Sequence, residues 1–185
     1  MTGLITIDEA LADPMAGRAK ILGGTFEDIV NPVDGVVYPA INRDPHQDVV
    51  REFHSKIESA IGRSISPKVT FSRAMFLGMS APNKIHSDRI MASHAAHIYL
   101  STDWPEGSGT SFWEHKVYGP VHDDRVVPAD IRTNEMSDWN RLYLAQAAFN
   151  RMLVHRGDLW HLAEPIGGWG DKPENARLVI TCFFD

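Results

Sequence analysis

From residue 68 to the end, the chain is cut into apolar runs that are too short for helices and are separated by turn residues. Residues 68–79 alternate loosely and are rich in Val, Phe and Met; residues 90–101 end in His97-Ile98-Tyr99-Leu100. Thr110-Ser111-Phe112-Trp113 follows the turn Trp104-Pro105-Glu106-Gly107-Ser108-Gly109, and runs at 150–155, 159–163 and 176–184 complete the series. Short runs of this composition, joined by Gly- and Pro-bearing turns, pair as antiparallel strands. One stretch breaks the pattern. Residues 128–150, with Met136, Trp139, Leu142, Tyr143, Gln146, Ala147 and Phe149, read as holding a helix.

The first third reads differently. Residues 7–21 carry Ala10, Leu11, Ala16 and Ala19 in a helical pattern weakened by Pro14 and Gly17. Asn31-Pro32-Val33-Asp34-Gly35 is turn chemistry. Asp44-Pro45 opens a stronger helix, because proline suits the first helical position. Val49, Val50, Phe53, Ile57 and Ile61 then recur on one face up to Gly62. A helix with one apolar face packs on something flat. The expected architecture is therefore mainly β with α: a double-stranded β-helix (jelly roll), with N-terminal helices packed on one sheet and a helical insertion. At roughly 100–200 residues per domain, 185 residues make a single domain. Its expected parts are a helical support over 1–65 and a jelly-roll core over 66–185, with an insertion at about 117–149 over the mouth of the site.

Charge and cysteine content narrow the function. Lys and Arg number 18 against 24 Asp and Glu, a net charge of −6, which argues against nucleic acid as a partner. The single cysteine, Cys182, excludes an intramolecular disulfide framework and reads as a small buried apolar residue. No basic start with a following apolar run marks a secretory signal, and no run of about 18 apolar residues marks a membrane span. The expectation is a cytoplasmic protein with no membrane partner. Nine histidines matter only if some of them cluster.

Lys84-Ile85-His86-Ser87-Asp88-Arg89 is where clustering begins. In extended backbone, residues two apart share a face, so His86 and Asp88 present an imidazole and a carboxylate side by side. Leu159-Trp160-His161-Leu162 offers a third ligand, His161, 75 residues after His86. Two His and one carboxylate on one side of a metal leave open positions, the ligand set of non-haem Fe(II) oxygenases. Farther on, Arg177 opens an otherwise apolar strand, where a buried guanidinium needs an anion. A dicarboxylate satisfies it bidentately.

The sequence here resembles the 2-oxoglutarate/Fe(II)-dependent oxygenases. The resemblance spans about two-thirds of the chain, 68–184. It rests on His86-Ser87-Asp88, on Tyr99-Leu100 with the following Gly107–Phe112 turn and strand, on Gly157 four residues before His161, and on Arg177 sixteen residues after it. The order and spacing look like the prolyl-hydroxylase-like branch. The resemblance implies Fe(II) held by His86, Asp88 and His161, and Arg177 on the far carboxylate of 2-oxoglutarate. Relatives often carry Ser or Thr two residues after this Arg. Here Val179 stands there, leaving Thr181 or Tyr99 as the second anchor. The implied activity is a dioxygenase that uses O2, releases succinate and CO2 and hydroxylates a C–H bond of a peptidyl side chain, an amino acid or a small metabolite. Asp88 favours hydroxylation, since halogenating relatives lack the carboxylate. The alternative is a non-catalytic metal-binding jelly roll that binds or senses a ligand; a pure scaffold has no use for the ordered set. Oligomeric state stays open.

Other chemistry-bearing residues read more plainly. His155 rivals His161 as a ligand, but as the end of an apolar run it reads as an outward or capping residue. Arg156-Gly157-Asp158 reads as a tight turn. His94 and His97, three apart in a strand, point to opposite faces. Trp113, His115 and Arg125 read as packing and surface, Trp160 as sheet packing, and Met75, Met79 and Met91 as core filler.

Overall fold

In a computed structural model of the protein, residues 3–31, 35–79, 84–128, 131 and 135–185 are described. The centre of the expected 31–35 turn and Arg132 of the insertion lie outside the described residues. The elements run β1 (Leu4–Ile7), α1 (Pro14–Leu22), β2 (Glu27–Val30), β3 (Val37–Asn42), α2 (Gln47–Ile61), β4 (Pro67–Met75), β5 (His94–Tyr99), β6 (Gly109–His115), β7 (Trp139–Gln146), β8 (Met152–Arg156), β9 (His161–Glu164) and β10 (Arg177–Phe184). They form a seven-stranded sheet, ordered β1-β8-β5-β10-β4-β3-β2, and a three-stranded sheet, ordered β7-β6-β9. All the strand pairings are antiparallel. Two antiparallel sheets with two helices match the mainly β jelly-roll expectation. Among the described residues, no helix is long and apolar enough to cross a membrane.

Strand β10 is central, and all eight of its residues are buried. Its alternation sorts them. Leu178, Ile180, Cys182 and Phe184 face α2, whose Val49, Phe53 and Ile57 join the same apolar cluster as Ala96, Ile98 and Val154. Val179, with Tyr99 and Leu153, instead meets Phe112 and Ala145 of the small sheet. The inward-facing side chains of Arg177, Val179 and Thr181 border this space between the sheets. Helix α2 forms much as its pattern predicts, with His46 accepting the Asp48 N–H and Gly62 ending it at φ 70°.

Two expectations are corrected. The N-terminal segment is not purely a helical support, because β1, β2 and β3 join the large sheet beside its two helices. The helix expected within 128–150 is a 3-10 turn, Met136–Asp138, followed by β7, which pairs with β6. Strand β7 is an edge strand. Only Trp139 and Ala145 are buried, while Leu142 and Tyr143 are exposed, so no two-residue alternation is written into it. The segment thus supplies part of the small sheet.

Candidate metal centre

His86 and His161 face each other across an isolated antiparallel bridge. His86 N–H donates to His161 O at 3.0 Å, and His161 N–H donates to His86 O at 2.9 Å. Such partners project to one side of the backbone. Asp88 is held nearby by its own N–H, which donates to Gly157 O at 2.7 Å, while Gly157 N–H donates to Ser93 O at 2.7 Å. A Cβ on Gly157 would lie 2.3 Å from the Ala92 carbonyl oxygen, so the close approach requires glycine.

The histidine rings are oriented for coordination. His86 Nδ1 lies 2.7 Å from Lys84 O, and His161 Nδ1 lies 2.9 Å from Leu159 O. A carbonyl only accepts, so each Nδ1 carries a proton, and in the neutral ring each Nε2 is the atom left for a metal. Asp88 Oδ2 is 3.2 Å from His161 Nε2, and Oδ1 is 3.7 Å from His86 Nε2. One ligand atom from each residue lies within 4.8 Å of the others. Burial opposes charge on Asp88, but His161 and His86 hold its carboxyl well below the usual carboxylate range. Burial likewise opposes charge on His161, and Asp88 outweighs it, raising the imidazole pKa. The three side chains the sequence singles out therefore form one donor set, matched in type to a divalent transition metal.

Beside the triad runs a buried chain of polar side chains. Thr181 Oγ1 is 3.0 Å from His97 Nδ1, His97 Nε2 is 3.1 Å from His155 Nε2, and His155 Nδ1 is 2.8 Å from Arg156 O. The last contact fixes the rest. His155 donates from Nδ1 and accepts at Nε2, His97 donates from Nε2 and accepts at Nδ1, and Thr181 donates its hydroxyl proton to His97. His155 is fully buried, with its ring 4.7 Å from that of His161. It does not point outward as expected, because the alternation of β8 sends Val154 to the helices and His155 into the site. Burial and His161 bring its pKa down to about 3, which keeps the ring neutral. In the sequence, His155 reads as the weaker rival of His161, and His97 as one of two histidines on opposite faces of a strand; with the register unknown, neither could be placed beside the triad.

The other candidates fall in two groups. Arg177 is 6% exposed, with Nη1 3.7 Å from Met75 Sδ and Nε buried without a partner. The Tyr99 hydroxyl is 2.8 Å from Thr110 Oγ1. Arg177 shares its face of β10 with Val179 and Thr181, the face turned toward the small sheet and toward the His97–His155 chain beside the triad. Outside it, His94 stacks on Phe184, His115 packs between Tyr118 and Trp139, and the exposed Arg125 pairs with Asp123. Trp160 packs on Trp139 and His122, and Arg156 pairs with Asp158 across the Gly157 turn.

No protein-family model matches the chain, and no curated protein matches it. Solved structures do match. EvdMO1 aligns over 98% of this chain with a TM-score of 0.61 and 17% identity; the chain spans just under half of that protein, 46%. The epimerase SnoN in complex with Fe3+, alpha ketoglutarate and nogalamycin RO aligns over 98% of this chain and 78% of its own, with a TM-score of 0.56 and 13% identity. An oxidoreductase of the 2OG-Fe(II) oxygenase family from Burkholderia pseudomallei aligns over 99% and 85%, with a TM-score of 0.57 and 12% identity. At these identities the likeness is one of fold: the chain has the fold of solved 2-oxoglutarate- and iron-dependent oxygenases, with a His-Asp-His donor set between its sheets.

Proposed function

We propose that the protein is a 2-oxoglutarate- and Fe(II)-dependent oxygenase that hydroxylates a C–H bond of a small molecule or a peptidyl side chain. The reading is carried by the triad and the orphaned Arg177 guanidinium bordering one space. A metal site alone has no need of a buried, unpartnered cation, whereas a dicarboxylate that also reaches the metal does. The residues fit both groups: two Nε2 lone pairs and one carboxylate suit Fe(II), and the free Arg177 Nε suits a carboxylate oxygen. Bound there, Fe(II), 2-oxoglutarate and O2 supply the oxidation of a substrate C–H bond, with succinate and CO2 released.

The chain's own residues do the rest. Lys84 O and Leu159 O fix the tautomers of His86 and His161, so neither ring rotates to find its ligand position. Phe112, Leu153 and Val179 wall the space between the sheets and exclude water, which strengthens the grip of Arg177 on an anion. Tyr99 and Thr181 place hydroxyls on the same wall. His86, with its side chain about half exposed, marks the open side where a substrate enters.

Anaerobic addition of Fe(II) and then 2-oxoglutarate tests this. The weak visible charge-transfer band of the chelate is expected in the wild type, lost in His161→Ala and shifted to higher 2-oxoglutarate in Arg177→Ala. Iron binding without that band points to the non-catalytic metal-binding jelly roll. No iron binding leaves only a scaffold.

A further inference from the structure

Arg73 lies on β4 and was not part of the sequence-derived site. The strand register places it directly opposite Val179 of β10, with Arg177 opposite Met75 one pair further along that face. Val179 faces the space between the sheets, and directly opposed residues share a face, with Cβ atoms about 4.5–5.5 Å apart. Arg73 therefore stands across from the position that leaves the second carboxylate anchor unassigned. Its Nε and Nη2 are buried without a hydrogen-bond partner, as is Arg177 Nε. Among the described residues, neither arginine forms a salt bridge. The Arg73 head group lies over the ring of Tyr38, with Cζ 5.4 Å from the ring centre.

Two buried cations this close repel each other. Burial and the charge of Arg177 bring the Arg73 pKa down to about 10, so Arg73 stays charged at neutral pH. One anion between the two guanidiniums satisfies the orphaned donors of both and removes the repulsion. The hydroxyls on this face are less suited to the task. Thr181 has its one proton committed to His97, and Tyr99 shares a hydrogen bond with Thr110.

We propose that Arg73 is the second anchor of the co-substrate: its guanidinium and that of Arg177 grip the same distal carboxylate of 2-oxoglutarate. The anchor that relatives carry two residues after the arginine has thus moved across the ladder from β10 to β4. This inference rests on the oxygenase reading above.

The test is anaerobic calorimetric titration of the Fe(II)-loaded protein with 2-oxoglutarate and with 2-oxobutanoate, which keeps the 2-oxo acid head and lacks the distal carboxylate. Arg73→Gln is expected to weaken 2-oxoglutarate by about ten- to a hundredfold and to leave 2-oxobutanoate unchanged. Arg73→Lys, which keeps the charge but not the fork, is expected to fall between; it carries the test should Arg73→Gln fail to fold. Equal weakening of both ligands marks a merely structural role and overturns the proposal, as does unchanged 2-oxoglutarate binding in a variant whose wild type binds it. A wild type that binds iron but not 2-oxoglutarate overturns the oxygenase reading itself, and this inference with it.

Discussion

The two faces of the large sheet share their strands and almost nothing else. Toward α2, β10 shows Leu178, Ile180, Cys182 and Phe184, against Phe53 and Ile57. Toward the small sheet the same strand shows Arg177, Val179 and Thr181, with His97, His155 and Arg73 on neighbouring strands. The first face is made mostly of groups that need only to leave water, with Ser72 a buried exception opposite Ile180. Even its thiol is inert, since burial pushes the Cys182 pKa up to about 11. The second face holds donors that demand partners, and several have none. One face thus supplies the stability, and the other spends part of it on buried polar groups without partners. A substitution on either face should then disturb one property and spare the other.

The largest effect is expected on the apolar side. Phe53 is fully buried, and Phe53→Ala should cost about 3–5 kcal/mol in denaturant unfolding. Fe(II) affinity of the folded fraction should stay at the wild-type value. A parallel loss of iron affinity would show that the two faces are not separable.

Asp88→Ala is the converse and comes next. Loss of one of three protein ligands should weaken Fe(II) by more than about a hundredfold, since even outer partners of a metal site are worth 10–100-fold. The unfolding midpoint of the metal-free protein should move far less than in Phe53→Ala. A variant that binds iron as tightly as the wild type would remove Asp88 from the centre.

The same contrast explains what was legible in the sequence. Helix α2 was readable because its burial is periodic, and strand β10 because its run is apolar almost throughout and buried on both faces. The clustering of His86, Asp88 and His161 was readable because ligand chemistry restricts residue types and chain order restricts spacing. Arg73, His97 and His155 are brought to the inner face beside that set by cross-strand register, which no single sequence displays. Strand β7 was misread because an edge strand buries only its ends. Strands β2 and β3 escaped notice because they are short, β2 is largely exposed and their ladder shifts register, with Ala40 at a left-handed φ of 50°.

Gly157→Ala should have an intermediate effect and tests how the backbone holds the inner face. The added methyl meets the Ala92 carbonyl at 2.3 Å, so the turn carrying Asp88 must shift. Iron affinity is expected to fall by about ten- to a hundredfold, the range for groups that position a ligand without touching the metal. Wild-type affinity together with an unchanged melting temperature would show that the 88–92 turn is free to yield.

The smallest effect is expected at Thr181→Val, a near-isosteric change that removes the proton donated to His97. The loss of one buried hydrogen bond should cost about 1 kcal/mol. His97 Nδ1 is then left without its donor, but the ring keeps its bond to His155, so the cost stays near that of one bond. The informative readout is binding. If Arg73 anchors the carboxylate, 2-oxoglutarate affinity in Thr181→Val stays within about twofold of wild type, well inside the cost of losing a charged hydrogen bond. A loss of tenfold or more would return the second anchor to β10. It would also mean that the Thr181 proton, despite the geometry of the His97–His155 chain, turns toward the ligand rather than the ring.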